Sequence, residues 1–112
     1  IMINYEFTYE GMGSQDIPVL ITTLHDNYPN PFNPETTISF ATTNSHESTR
    51  IEVYNLKGQK VKMLVNEILP TGQHEAVWNG TDDNGKAVSS GVYFYQLKQA
   101  GQVKTQKAML IK

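Results

Sequence analysis

The chain has 112 residues, 9 Lys and Arg against 11 Asp and Glu, a net charge of −2 and no cysteine. That length allows one domain with a fragment of a neighbour, and the charge balance lacks the basic stripe that nucleic acid requires. No run approaches the roughly 20 apolar residues of a membrane span, and disulfide and thiolate chemistry are excluded, which leaves the compartment open.

Residues 1–9 alternate, with Ile1, Ile3, Tyr5, Phe7 and Tyr9 on one face and Met2, Asn4, Glu6 and Thr8 on the other. Period two is the signature of a half-buried strand. The opening lacks a basic n-region and an apolar h-region, so it is no signal peptide and reads as the tail of a longer polypeptide. A loop over 11–16 leads to a second strand over 17–24, where Pro18 suits an edge or a first strand position.

Residues 27–34 read Asn-Tyr-Pro-Asn-Pro-Phe-Asn-Pro. Each proline fixes φ, removes a donor and pushes the preceding residue toward extended conformations. The segment therefore reads as a stiff connector of roughly 25 Å, at ~3.1 Å per residue. It divides the chain into residues 1–26, the end of an upstream domain or an added strand pair, and an independent unit over 27–112.

Beyond it, strands are expected over 36–42, with Ile38 and Phe40 inward, and over 49–56, with Ile51 and Val53 inward. Lys57-Gly58 marks a turn. Residues 61–68 mix two signals, since Val61, Leu64, Val65 and Ile68 fit helical spacing while Val61, Met63 and Val65 alternate. Bounded by Gly58 and Pro70, the run is too short for a helix and is read as a strand. Residues 73–78 alternate through His74, Ala76 and Trp78, and 79–86 are turn-rich, with Asn-Gly pairs at 79–80 and 84–85. Residues 92–98 are apolar on both faces, which suits a central strand. A tight turn at 100–102 leads to a last strand over 103–111. Short strands at intervals of roughly 8–12 residues predict an all-β, antiparallel sandwich of about seven strands, with one or two more at the N-terminus.

Reactive constellations are sparse. Asp82-Asp83-Asn84-Gly85 invites a calcium loop, but aligning Gly85 to the loop glycine puts Gly80 and Gly91 where the first Asp and the twelfth-position Glu belong. A hairpin turn is the simpler reading, with a weak ion site as the alternative. His25, His46 and His74 have no partner at metal spacing. Ser89-Ser90-Gly91 lacks the strand-to-helix context of a nucleophile elbow. Asn79-Gly80-Thr81 fits a glycosylation acceptor, and an Asn-Gly turn accounts for it equally. Trp78, Tyr93, Phe94 and Tyr95 form either the core of a small sandwich or a carbohydrate-stacking platform, and the core is the expected role. Phe32 is expected to dock on the sandwich, with a partner site as the other reading. No catalytic, cofactor-binding or metal-binding residue is assigned, and neither nucleic acid nor a small-molecule substrate is expected.

The order of motifs from Asn27 onward is specific. The octapeptide is followed by Thr36-Thr37-Ile38-Ser39-Phe40, by Val53-Tyr54-Asn55-Leu56-Lys57-Gly58, and by Leu69-Pro70-Thr71-Gly72. Then come Trp78-Asn79-Gly80-Thr81-Asp82-Asp83, Ser90-Gly91-Val92-Tyr93-Phe94-Tyr95 and the closing Lys107-Ala108-Met109-Leu110-Ile111-Lys112. The series resembles the C-terminal sorting domain of proteins exported by the bacterial type IX (Por) secretion system, itself similar to the Ig-like domain of the flagellar hook-capping protein. The family commonly has Trp-Asp-Gly where this chain has Trp78-Asn79-Gly80, a change that a turn tolerates.

The resemblance implies a seven-stranded Ig-like module at the end of a larger exported protein. It further implies recognition by outer-membrane secretion machinery and delivery of an upstream cargo domain, through the periplasm of a Gram-negative-type bacterium, to the surface or medium. A peptidase then removes the module in that family, and cargo is released or joined to lipopolysaccharide. Carried over by position, Lys107, Ala108, Met109, Leu110, Ile111 and Lys112 match the recognition segment, and Tyr28, Pro29, Asn30, Pro31, Phe32, Asn33 and Pro34 match the opening motif. The last strand is expected to present an edge for β-augmentation, and an open edge also offers a route to a dimer. A passive spacer with the same sandwich is the alternative role.

Overall fold

Alternation of apolar and polar residues governs the architecture, because period two puts one face of each strand inward. The computed structural model describes residues 22–43 and 46–112; the strands expected over 1–9 and most of 17–24 lie outside the described residues. Within it run β1 (Thr23–Leu24), β2 (Thr36–Thr42), β3 (Ser48–Tyr54), β4 (Lys60–Ile68), β5 (Gly72–Trp78), β6 (Gly91–Gln99) and β7 (Gln102–Leu110). They form two antiparallel sheets, ordered β1-β2-β5 and β4-β3-β6-β7. The result is the antiparallel β-sandwich that the strand spacing predicts, with the Ig-like form that the resemblance implies.

Ile38 and Phe40 of β2, Ile51 and Val53 of β3, Trp78 of β5, Tyr95 and Leu97 of β6 and Leu110 of β7 interleave between the sheets, all essentially buried. Leu24 of β1 joins the same core. As its apolar pattern predicts, β6 is an inner strand, paired to β3 on one side and β7 on the other. Its hairpin with β7 turns on Ala100 and Gly101, both at positive φ (49° and 81°), the pair of conformations that a two-residue type I′ loop demands.

The mixed signal at 61–68 has a structural cause. Pairing between β3 and β4 runs Ile51 to Val65, then Glu52 to Met63, Val53 to Lys62 and Tyr54 to Lys60, so two register shifts skip Leu64 and Val61. Each skipped residue is an extra one in a bulge. Both pack against the core beside Val65. Two bulges turn a period-two strand into a pattern that imitates a helix.

The end of the sandwich near the β6–β7 turn is plugged by polar groups. Gln99 Nε2 donates to Thr49 Oγ1 at 2.8 Å, and the Thr22 hydroxyl donates to Gln99 Oε1 at 3.3 Å. Nearer the middle, the buried Tyr95 hydroxyl donates to the His25 carbonyl at 2.7 Å, and its burial raises the phenol above its ordinary range.

On the outer face of the four-stranded sheet, Glu52 is 3% exposed. It accepts from Lys98 Nζ at 2.9 Å, the Tyr54 hydroxyl at 2.8 Å and Arg50 Nη2 at 3.0 Å. Burial pushes this carboxyl up from its ordinary 4.5, but the hydrogen bonds from Lys98, Tyr54 and Arg50 outweigh it and hold it at about 2. A folded value below the unfolded one stabilises the fold above about pH 4.5, and that contribution is lost as pH falls toward about 2. Glu52→Gln is expected to cost about 1–3 kcal/mol at neutral pH in denaturant titrations and to flatten stability against pH across that window. An unchanged acid limb would assign the loss to other carboxylates.

Candidate functional site

The proline motif is not a free connector. It folds back and bridges the two sheets at one end. Tyr28 N–H donates to the Thr37 carbonyl and Thr37 N–H donates to Tyr28, both at 2.9 Å, which fixes the start of the motif to β2. Four residues later Phe32 pairs in parallel with Leu110: Phe32 N–H donates to the Met109 carbonyl and Ile111 N–H to the Phe32 carbonyl, again at 2.9 Å. The peptide bonds preceding Pro29, Pro31 and Pro34 are cis. Composition identifies a segment barred from helices and inner strands, but it does not distinguish a spacer from a clip. The buried aromatic between the prolines decides it, because an exposed Phe in a linker forfeits about 2–3 kcal/mol of burial.

Asn30 completes the clip with its side chain. Its Oδ1 accepts from Met109 N–H at 3.0 Å and its Nδ2 donates to the Lys107 carbonyl at 3.4 Å, so one amide stands in for a peptide group of a neighbouring strand. Asn27 braces the turn behind it. This buried side chain donates to Thr36 Oγ1 at 2.9 Å and to the Pro29 carbonyl at 3.2 Å, and the Thr36 hydroxyl donates to Pro29 as well, at 2.8 Å. The resemblance includes Asn30 in the opening motif, but the role of neither asparagine is legible in the sequence, because both depend on partners distant in the chain.

Beneath the clip three motifs meet. The Phe32 ring, 1% exposed, lies 5.4 Å from Trp78 at 53°, and Trp78 meets Tyr93 edge-on at 5.2 Å and 75°. The indole N–H donates to the Thr81 carbonyl at 2.9 Å, and the Tyr93 hydroxyl to Ser89 at 2.6 Å. Gly80 has φ +74°, and a Cβ there would stand 3.1 Å from the Pro34 carbonyl and 3.6 Å from Leu110. The opening motif, the Trp-Asn-Gly turn and the last strand are thus parts of one packed corner.

Of the segment 107–112, Ala108 and Leu110 point into this core, while Lys107, Met109, Ile111 and Lys112 face outward. The expected open edge is corrected here. From Lys107 to Ile111 the outer edge is occupied by Asn30 and Phe32, so no receptor strand can add there while the clip is closed. Tyr28 stands 81% exposed on the other side of the clip. It overlooks an open groove of about 540 Å³ bounded by Asp26, the motif, Gln106 and Lys107.

Trp78, Tyr93 and Tyr95 are core residues, not a stacking platform. At the acidic turn, Asp82 Oδ1 accepts from the Asn84 and Lys86 N–H groups and Asp83 Oδ1 from Met63 N–H, which makes both carboxylates part of the turn. His74 packs 5.6 Å from Phe40 and meets the Pro70 carbonyl at 2.6 Å. Among the described residues no three of His, Asp and Glu gather as metal ligands. Phe32→Ala is expected to cost about 3–5 kcal/mol and to open Trp78, the chain's single tryptophan, to acrylamide quenching. Asn30→Ala is expected to cost about 1–2 kcal/mol and to speed hydrogen exchange at the Met109 and Ile111 amides selectively. Equal exchange in both proteins would mean that the clip does not protect this edge.

Comparison with known proteins accords with this corner. The model of the secretion system C-terminal sorting domain matches residues 26–112. Two solved structures from Porphyromonas gingivalis share the fold. One is PorZ, described as an essential bacterial surface component of the type-IX secretion system, with 22% identity and a TM-score of 0.53 over 81% of this chain and 11% of that one. The other is dimeric latent PorU, with 17% identity and a TM-score of 0.61 over 83% of this chain and 10% of that one. The chain thus spans about a tenth of either, and at such identities the likeness speaks for the sandwich alone. No curated protein matches the chain. The family match covers the clip, the Trp78 turn and the last strand together: the chain belongs to the secretion system C-terminal sorting domain family, the non-catalytic sorting module of type IX secretion.

Proposed function

We propose that the segment 107–112, held in place by the proline clip 28–34, is the part of the module that the outer-membrane machinery grips. Residues 27–112 act in this reading as the label, and a cargo domain upstream on the same polypeptide is carried through the periplasm and across the outer membrane. The observation that supports it most is the convergence at one corner of the motifs on which the family likeness rests. That corner fixes the last strand in a defined register, with four of its six terminal side chains turned outward. A label must be rigid where it is read, and the ring stack of Phe32, Trp78 and Tyr93 supplies that rigidity. The module adds no chemistry of its own. Any activity belongs to the cargo.

Deleting residues 107–112 from the full-length parent in its native host is expected to leave the parent in the periplasm. Normal export of the truncated protein would favour the passive spacer, which shares the sandwich but does not depend on that segment.

A further inference from the structure

Resting on the sorting reading, the geometry points to recognition of the last strand through its outward side chains, by a protein surface that presents an apolar strip flanked by carboxylates. Backbone pairing is closed to a partner along this stretch, since Asn30 and Phe32 already occupy the outer edge from Lys107 to Ile111. What remains readable is the row Lys107, Met109 and Ile111. Met109 is 39% exposed and Ile111, just past the end of β7, 48%, although both are apolar and the alternate residues Ala108 and Leu110 are buried in the core. Their neighbours on β6 extend the apolar strip inward, with half-buried Val92 opposite Met109 and Phe94 opposite Lys107.

Charge defines the partner's rim. All 11 acidic residues lie at or before Asp83, whereas residues 84–112 contain Lys86, Lys98, Lys104, Lys107 and Lys112 and no Asp or Glu. Lys98 is engaged by Glu52; among the described residues Lys86, Lys104, Lys107 and Lys112 form no ion pair, but Lys86 belongs to the acidic turn and Lys104, opposite Leu97, stands on the other face of β7 from Lys107. That leaves Lys107 and Lys112 at the ends of the segment, short of the cluster of roughly four to eight that marks recognition of an anionic lipid surface. An acidic protein groove fits both their number and the apolar residues set between them. Opposed charges at such a rim select the partner and speed encounter more than they add raw affinity.

The test replaces Lys107→Glu together with Lys112→Glu in the full-length parent in its native host. Exported parent is expected to fall about tenfold, a difference of about 1.4 kcal/mol, while the Lys→Arg pair at the same positions exports normally. Normal export of the reversal pair, with the 107–112 deletion still retained, would overturn side-chain recognition and leave the sorting reading intact. Export of the deletion itself would bring down the sorting reading and this inference with it. Both lysines are exposed, so thermal unfolding of the purified 112-residue chain should match the parent sequence; should the reversal pair unfold, the Lys→Gln pair decides on the same export readout. Phosphatidylglycerol vesicles are expected not to sediment the purified chain, and sedimentation lost in the reversal pair would overturn the assignment to a protein partner.

Discussion

The corner built on Phe32 is the constraint from which the rest of the site follows. Its ring fills the space above Trp78, and its backbone simultaneously accepts from Ile111 and donates to Met109. Burial of the ring therefore also sets the register of the neighbouring strand. Ring burial of this kind contributes about 2–3 kcal/mol and edge-on or tilted aromatic contacts about 0.5–1.5 kcal/mol more. A stretch that would otherwise fray as the last few residues of an edge strand is thereby held as firmly as an interior one.

The two faces of β7 divide the work between folding and recognition. Ala108 and Leu110 belong to the core, and a change there is felt through packing. Lys107, Met109 and Ile111 contribute little to that core and remain available to solvent. Gly80 links the two functions, because only a residue without a side chain lets the Pro34 carbonyl and Leu110 approach the turn together. The Glu52 cluster on β3 and β6 plays a different part. It keeps a carboxylate ionised on the outer face of the sheet, where Lys98 and Arg50 pair with it.

Much of the fold was legible in the residues. Period-two runs located the strands of the described part to within a residue or two, the apolar pattern of 92–98 placed β6 inside its sheet, and the assignment of Trp78, Tyr93 and Tyr95 to the core holds, whereas Phe94, expected with them, alternates to the outer face and is only half-buried. The failures have specific causes. Proline chemistry gives local conformation but not where a segment docks, so 27–34 read as a stiff connector, although the expected docking of Phe32 on the sandwich holds. The open edge expected of 107–112 failed for the same reason, since the residues that cover it lie almost eighty positions earlier. Asn27 and Glu52 gave no signal and Asn30 enters only as part of the opening motif, because a polar side chain whose partners come from elsewhere in the fold looks like any surface residue. The resemblance singled out the opening motif and the last strand, but that they pack against each other was not legible in the residues.

The twin bulges in β4 bear on how such labels behave in number. A sheet margin that is straight and regular invites the same margin of another molecule to zip onto it. Here two skipped residues kink the rail, with Lys60 and Lys62 set beside the breaks. Molecules crowded together on their way out of a cell would find no continuous ladder along that margin.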